Sequence, residues 1–247
     1  MGDPLVVSDE ILFPGAGGDW IQGFYARPAG PAPYGSVVVI HHMPGYDEAT
    51  KEIAFRFARH GYAALMPNLY YREAPNASPD DASAIARSRG GVPDDRLVGD
   101  VGGARTFLIS QPGSNGKSGV IGYCSGGRQA FLSACSLPFD AVVDCYGAFV
   151  VRQPPAEHPL NLTPVISQAP NLACPVLGLF GAEDRFPAPD EVSELDAELT
   201  RLGKEHDFHS YEGAGHAFFN TGAPSYRPEA AKDGWSKIFA FFERWLS

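Results

Sequence analysis

Gly-Val-Ile-Gly-Tyr-Cys-Ser-Gly-Gly-Arg, residues 119–128, is the most informative segment of this 247-residue chain. It begins as an apolar β-strand and leads into a helical pattern. A sharp turn from strand to helix strains the backbone of its central residue, so the residues two before and two after that centre must be small. Gly122 and Gly126 meet this requirement around Cys124. The spacing therefore predicts a strand–turn–helix junction that presents the Cys124 side chain.

Cys124 is the predicted nucleophile of this turn. Centring the turn on Ser125 instead would put the bulky Tyr123 at one of the small positions. A thiol at position 124 would lie at a helix N-terminus, where unpaired backbone N–H groups favour the thiolate. The alternative is an inert cysteine packed on an apolar strand. We favour the nucleophile because both glycines and the strand–turn–helix context occur together.

Outward from this turn, short apolar runs alternate with longer helical patterns. Such alternation is typical of βαβ units, and near-continuous Val, Ile and Leu runs indicate strands covered on both faces. We predict an α/β fold with a mostly parallel, doubly wound sheet and helices on both faces, in a single domain over residues 1–247. The predicted elements are an antiparallel pair of strands at 5–13 and 20–26, parallel strands at 36–41, 62–66, 118–122, 141–145 and 175–180, a last strand at 207–211, helices at 51–60 and 128–134, and a terminal helix.

Two stretches are interpreted as insertions. Residues 72–95 are rich in Ala, Ser, Pro and Asp, and residues 151–173 are rich in Pro, Asn and Gln. Loops of this length in a compact domain are usually functional lids or flexible surface. Both leave the sheet at the C-terminal ends of its strands, where open α/β sheets bind their ligands.

Composition excludes several classes of partner. The chain has 19 Lys and Arg against 29 Asp and Glu, a formal net charge of −10, which provides no basic surface for nucleic acid or anionic lipid. No apolar run approaches the length of a membrane span, and the first ten residues do not resemble a secretory leader. The four cysteines show no CxxC spacing. We expect reduced thiols in a cytoplasmic protein that binds neither nucleic acid nor membrane.

A cysteine nucleophile needs a base and a group that orients the base. His216, in Glu-Gly-Ala-Gly-His-Ala-Phe-Phe, lies in a glycine-rich loop between a strand-like segment and the terminal helix, and it follows the nucleophile along the chain. The acid is expected between the two, after a buried strand. Asp184 fits that position best, with Glu183 and Asp144 as alternatives, although an ordinary turn aspartate would look the same.

An oxyanion hole completes the predicted site. One donor is expected to be the backbone N–H of Ser125, and the second the N–H of Met43 in His-His-Met-Pro-Gly at 41–45. An ordinary turn formed by Pro44 and Gly45 is the plain alternative there. The histidines and carboxylates show no HExxH-type spacing, and no GxGxxG follows the first strand, so we expect neither a metal nor a dinucleotide cofactor.

With these residues in place, the chain resembles the dienelactone hydrolase family of the α/β-hydrolase superfamily. The likeness runs from about residue 31 to the C-terminus, and its anchors are Gly-Tyr-Cys-Ser-Gly-Gly at 122–127, Gly-Ala-Glu-Asp at 181–184, Gly-Ala-Gly-His-Ala-Phe at 213–218 and the run at 61–70. The resemblance implies an α/β-hydrolase fold, a Cys124–His216–Asp184 triad, and hydrolysis of a small ester or lactone through a thioester.

Two positions depart from the family pattern. His42 stands where members that open dienelactone have a glutamate, and Asn220 stands where they have an arginine that holds the substrate carboxylate. We therefore expect neutral esters or lactones to be better substrates than anionic ones. Arg128 and Arg185 could replace the missing arginine, although surface ion pairing is the simpler role for each. His42, Tyr123, Arg128 and Asn220 are the candidate substrate-binding or modulating residues.

His42 has two possible roles. A protonated imidazole at this position would favour the Cys124 thiolate, because histidine titrates near neutral pH. Alternatively, His42 only shapes the loop through a hydrogen bond. Strand alternation predicts that His41 points to the opposite side.

A second class of function stays open, since a fold does not fix an activity. The chain could be a ligand-binding protein without turnover or a thiol redox sensor. A sensor would need a resolving cysteine, and Cys135 is expected to lie too far along the helix that follows Cys124. The sequence does not distinguish a monomer from a homodimer.

Overall fold

The centre of the structure, a computed structural model that describes residues 5–43 and 45–247, is one mixed β-sheet. Pro44, part of the turn considered above, and residues 1–4 lie outside the described residues. The strands found in the described ranges are β1 (Val6–Pro14), β2 (Trp20–Pro28), β3 (Tyr34–Ile40), β4 (Ala63–Pro67), β5 (Ser114–Tyr123), β6 (Ala141–Cys145), β7 (Val176–Gly181) and β8 (His206–Tyr211).

The strand order is β1-β2-β4-β3-β5-β6-β7-β8. β1 pairs antiparallel with β2, and β2 pairs antiparallel with β4, whereas every pair from β4 to β8 is parallel. The predicted antiparallel pair and the mostly parallel sheet are therefore confirmed. The largest shift of a strand boundary is at β5, which begins at Ser114 rather than at 118.

Helices cover both faces of the sheet. They are α1 (Glu48–Arg59), α2 (Pro79–Ser88), α3 (Asp94–Ile109), α4 (Ser125–Ser136), α5 (Pro189–Arg201) and α6 (Pro228–Leu246). Alternate residues of β3 enter two separate cores, because successive strand side chains point to opposite faces. Val38 packs in the core that holds α3 and α4, and Val37 packs in the core that holds α1 and α6. This two-faced burial confirms the doubly wound arrangement.

The first insertion is partly helical, which corrects the expectation of a loop over residues 72–95. Ser78 caps α2 by accepting a hydrogen bond from the backbone N–H of Asp81, and Pro79 occupies the first helical position. Both are standard helix-start signals. Residues 151–173 contain one short 3₁₀ helix, Ile166–Asn171. The insertions touch, since the N–H of Asn161 donates to the carbonyl of Gly90 at 2.8 Å.

None of the helices in the described ranges is long and apolar enough to cross a bilayer.

Candidate active site

Cys124 occupies a strained turn between β5 and α4. Its backbone angles are φ 58° and ψ −124°, a conformation that non-glycine residues rarely adopt. A Cβ at Gly122 would lie 1.9 Å from the carbonyl oxygen of Gly126, and a Cβ at Gly126 would lie 2.6 Å from the carbonyl oxygen of Ile40. Both glycines are therefore required sterically. The half-buried thiol stands at the N-terminal end of α4.

His216 and Asp184 form a hydrogen-bonded pair beside this turn. His216 Nδ1 donates to Asp184 Oδ2 at 2.8 Å, and the other carboxylate oxygen accepts from the N–H of Phe186 at 2.9 Å. The Asp184 residue is only 6% exposed, so its geometry is fixed. Because Nδ1 carries the proton shared with Asp184, Nε2 is left for the hydrogen bond between His216 and Cys124.

The surroundings of His216 favour its protonated form. Burial lowers its pKa, but the hydrogen bonds to Asp184 and to Cys124, with the charges of both groups, raise the pKa to about 10. An imidazolium that persists at neutral pH stabilises a thiolate beside it. The arrangement can therefore hold Cys124 as an activated sulfur nucleophile.

The two loops that carry this pair are tied together. The backbone N–H of Glu183 donates to the carbonyl of Ala214 at 2.9 Å, while the side chain of Glu183 is exposed. Asp144, the other alternative acid, is buried, and its Oδ1 accepts from the N–H of Gly147 at 2.7 Å. Burial raises the pKa of Asp144 to about 7. Of the three carboxylates considered, Asp184 is the one bonded to His216.

The two predicted oxyanion donors belong to two different segments, the start of α4 and the loop after β3. Ser125 is the first residue of α4, so its N–H lies in the first turn, where N–H groups have no helical partner. Met43 is half-buried in the loop after β3, and its carbonyl accepts a hydrogen bond from the Tyr70 hydroxyl at 3.2 Å. The Tyr70 pKa is raised, mainly by burial and secondly by the charge of Cys124.

His41 and His42 have separate environments. His41 is buried, donates from Nδ1 to the carbonyl of His42 at 2.9 Å, and accepts at Nε2 from the N–H of Leu69 at 3.3 Å. Burial lowers the pKa of His41 to about 4, so it is a neutral structural residue. His42 instead donates from Nε2 to Asp47 Oδ2 at 2.7 Å. Although burial raises the pKa of Asp47, the bonds from His42 and Thr50 lower it to about 2.

The His42–Asp47 pair favours the structural role of His42. Its carboxylate offsets the positive charge of a protonated imidazole, so little net charge would reach the thiol. We expect His42→Asn to shift the pH midpoint of Cys124 alkylation by iodoacetamide by less than about half a unit. The measurement is the alkylation rate from pH 5 to 9 in the wild type and the variant. A downward or upward shift of roughly one unit or more would instead assign His42 a direct electrostatic role.

Arg128 does not face a substrate, which corrects its place among the candidate binding residues. The side chain is 1% exposed. Its guanidinium donates to both carboxylate oxygens of Asp94 at 2.8 and 2.7 Å, and to the carbonyl of Thr163 at 2.7 Å. The expected ion pair exists, but it is buried and ties α4 to the start of α3 and to the second insertion. Arg185 is exposed beside Asp184.

A cavity of about 340 Å³ lies between α1 and α6, and we call it the α1–α6 cavity. His42, Tyr123 and Asn220 all line it. Tyr123 is 4% exposed and packs its ring against Phe219 at 5.7 Å between centroids. Three of the predicted modulating residues therefore meet at one cavity, next to the residue that bears the thiol.

Two tyrosines of the site have no role that the sequence predicts. Tyr146, just after β6, has a left-handed backbone with φ 44°, and its ring lies 5.2 Å from the imidazole of His216. Tyr70 contacts the Met43 loop, as described above. The run at 61–70 ends on Tyr70, so a signal existed there, whereas nothing in the local pattern around Tyr146 indicates a contact with a loop 70 residues away.

No group of three or more His, Cys, Asp or Glu side chains in the described ranges has the geometry of a metal site.

Comparisons with known proteins agree on one family. The model of the dienelactone hydrolase family matches residues 21–246. A candidate carboxymethylenebutenolidase of Methylorubrum extorquens is 31% identical over 243 residues, covering 97% of this chain and 82% of the relative. A candidate carboxymethylenebutenolidase of Escherichia coli K12 is 30% identical over 252 residues, covering 98% of this chain and 89% of the relative.

Solved structures show the same architecture. A candidate dienelactone hydrolase of Klebsiella pneumoniae superposes with a TM-score of 0.86 at 27% identity, covering 98% of this chain and all of the other. A dienelactone hydrolase of Anabaena variabilis superposes with a TM-score of 0.71 at 18% identity and full coverage of both chains. At that identity the second likeness concerns the fold alone.

Proposed function

Because this chain belongs to the dienelactone hydrolase family, and is thereby a carboxylic ester or lactone hydrolase, we propose that it works through Cys124, His216 and Asp184 with a thioester intermediate. The observation that carries the proposal is the continuous hydrogen-bonded series from Asp184 through His216 to Cys124 at the strained turn. The substrate is a small ester or lactone. A cytoplasmic location remains a prediction from the sequence.

The first half of the reaction forms the acyl-enzyme. The Cys124 thiolate attacks the carbonyl carbon, and the N–H groups of Ser125 and Met43 stabilise the oxyanion of the tetrahedral intermediate. The C–O bond to the alcohol then breaks, and the His216 imidazolium gives its Nε2 proton to the leaving alkoxide. For a lactone the released alcohol remains attached to the acyl group.

The second half returns the free enzyme. Neutral His216 accepts a proton from water, and the resulting hydroxide attacks the thioester carbonyl. Collapse of the second tetrahedral intermediate releases the carboxylic acid and leaves the thiolate beside the imidazolium. Asp184 holds the imidazole in the required orientation through both steps, because its second oxygen is itself fixed by the N–H of Phe186.

Trapping the intermediate tests this proposal. Reaction with a p-nitrophenyl ester, quenched in acid at early times, should show a burst of p-nitrophenol followed by steady turnover. Mass spectrometry of the quenched protein should locate one acyl group on the peptide that contains Cys124. An acyl group on a serine, or turnover without any acylated Cys124 peptide, contradicts the proposed chemistry.

Neutral substrates should be preferred over anionic ones. Asn220 offers no positive charge, its Oδ1 accepts from the N–H of Gly222 at 3.0 Å, and Arg128 is committed to Asp94. An anionic substrate therefore lacks a charge-assisted partner worth roughly 1.5–3 kcal/mol. We expect kcat/KM for a lactone methyl ester to exceed that for the corresponding carboxylate by about tenfold or more. Equal values, or a preference for the acid, would show that Arg185 or another cation binds the carboxylate.

The alternative of a redox sensor gains little support from the neighbouring cysteines. Cys145 adjoins the nucleophile, since the N–H of Cys124 donates to its carbonyl at 3.1 Å. Cys145 is fully buried, however, and burial raises its pKa well above the ordinary value, so it does not supply a thiolate. Cys135 lies on α4, roughly 16 Å along the helix from Cys124. Stoichiometric acylation without further turnover would favour the binding protein instead.

A further inference from the structure

The α1–α6 cavity lies next to His216 and Cys124 of the proposed triad. Tyr146 lines the cavity and also packs its ring edge-on against His216, with 5.2 Å between ring centroids. Tyr123, another lining residue, directly precedes Cys124. These two neighbours bring the cavity next to the proposed site, where a group attached to the reacting carbonyl or to its leaving oxygen would lie.

Five of the fifteen residues that line the cavity are Tyr, Phe or Trp. Trp235 packs against Phe219 with 5.6 Å between centroids, and Tyr226 also lines the cavity. Ile53 of α1 faces them across the space. The volume of about 340 Å³ falls within the range of small-molecule sites, and an engineered cavity of roughly 150 Å³ already holds benzene. A substituted aromatic ring fits this cavity.

The charged groups at the cavity are exposed, stacked on an aromatic ring or paired. Glu52 and Lys232 are exposed and opposite in sign. The Arg56 guanidinium lies over the ring of Trp235, 4.5 Å from its centroid, so its flat face extends the aromatic wall. His42 is paired with Asp47. A neutral planar group matches these surroundings better than a carboxylate. Arg56 is stacked on the Trp235 ring, Lys232 is exposed to water, and Glu52 adds a negative charge that opposes an anionic group.

We propose that the α1–α6 cavity binds an uncharged aromatic group carried by the substrate next to the scissile bond, and thereby selects aryl-bearing esters or lactones. This inference rests on the proposed function, because it concerns the substrate of the Cys124 site. Aromatic rings gain both burial and edge-to-face contacts in such a pocket, whereas a methyl group in the same place would leave most of the space unfilled.

Two substrate series test the proposal on the full chain. The acyl series compares methyl acetate with methyl phenylacetate, and the alcohol series compares methyl acetate with benzyl acetate. We expect kcat/KM to rise roughly 10- to 100-fold on adding the ring in one series, which identifies the side of the ester that enters the cavity. A ring that gives no increase in either series overturns the proposal. Adding a para-carboxylate to the ring of the better substrate should remove most of this increase in kcat/KM. If kcat/KM with the carboxylate is equal or higher, the proposal that the bound group is uncharged is wrong.

Variants on a single helix test whether this cavity causes the preference. Ile53→Trp fills the cavity and should lower the ratio of aryl to methyl kcat/KM about tenfold or more. Phe55→Trp is the matched control, because Phe55 lies on the same helix but packs against Phe24, with 5.3 Å between centroids. It should keep the ratio. Ala49→Phe, at an exposed lining position near the start of α1, provides a second filled cavity if Ile53→Trp does not fold.

The outcomes separate this inference from the function on which it rests. A folded Ile53→Trp or Ala49→Phe protein that retains the wild-type ratio overturns the cavity assignment, provided that hydrolysis still depends on Cys124. Hydrolysis that survives in Cys124→Ala would instead overturn the proposed function, whatever the substrate preference. Measuring both series in Cys124→Ala alongside the cavity variants distinguishes the two failures.

Discussion

Cys124→Ala is expected to lower kcat/KM for ester hydrolysis by at least about ten-thousand-fold while the protein remains folded. Removing the nucleophile of a catalytic triad usually costs several orders of magnitude, because the remaining groups only bind and polarise the substrate. Alanine keeps the Cβ that the strained turn already accommodates, so the backbone at φ 58° needs no new adjustment. Steady-state hydrolysis of a p-nitrophenyl ester, with circular dichroism as the check on folding, measures the effect.

Cys124→Ser should be nearly as inactive, since a hydroxyl has a far higher pKa than a thiol and His216 is adapted to a thiolate partner. Cys135→Ala is the matched control, because Cys135 is a buried thiol on the same helix and has no proposed part in the reaction. It should keep close to wild-type activity. Purified Cys124→Ala protein that hydrolyses the ester at a near-wild-type rate would require a different nucleophile.

Asp184→Asn is expected to have the second-largest effect, a loss of roughly a thousand- to ten-thousand-fold in kcat. The equivalent change in the serine-protease triad costs about ten-thousand-fold, because the amide no longer holds the correct imidazole tautomer. Here the carboxylate also contributes to raising the pKa of His216 to about 10. Without that charge the imidazole loses its proton at lower pH, and the thiolate loses its counter-ion.

The sign of the pH effect follows from this linkage. A histidine whose pKa is raised stays protonated up to its new pKa, so the wild-type thiolate–imidazolium pair persists through neutral pH. In Asp184→Asn the pH midpoint of iodoacetamide alkylation should move upward, and alkylation at pH 7 should slow. Glu183→Gln is the neighbouring control, since that side chain is exposed. An unchanged alkylation profile in Asp184→Asn would mean that Asp184 only shapes its loop.

Much of the fold was predictable because its signals are local. The β5 turn around Cys124 is specified by two glycines whose Cβ positions are sterically forbidden, and such exclusions can be inferred from spacing alone. The parallel strands follow from short apolar runs buried on both faces. α2 was missed although Ser78 and Pro79 give a clear start signal, because the Ala- and Ser-rich composition of the insertion suggested a loop.

Local sequence patterns specify the strand–turn–helix presentation of Cys124, the doubly wound sheet, and the order in which the candidate nucleophile, acid and base occur. Which side chains meet depends on long-range packing. Arg128 is buried and connects three segments because Asp94 and the carbonyl of Thr163 both accept hydrogen bonds from it. Tyr146 contacts His216 because the end of β6 lies beside the loop after β8. The spacing of residues along the chain predicts backbone geometry over a few residues. Side-chain contacts between residues that lie dozens of positions apart depend instead on how the elements pack.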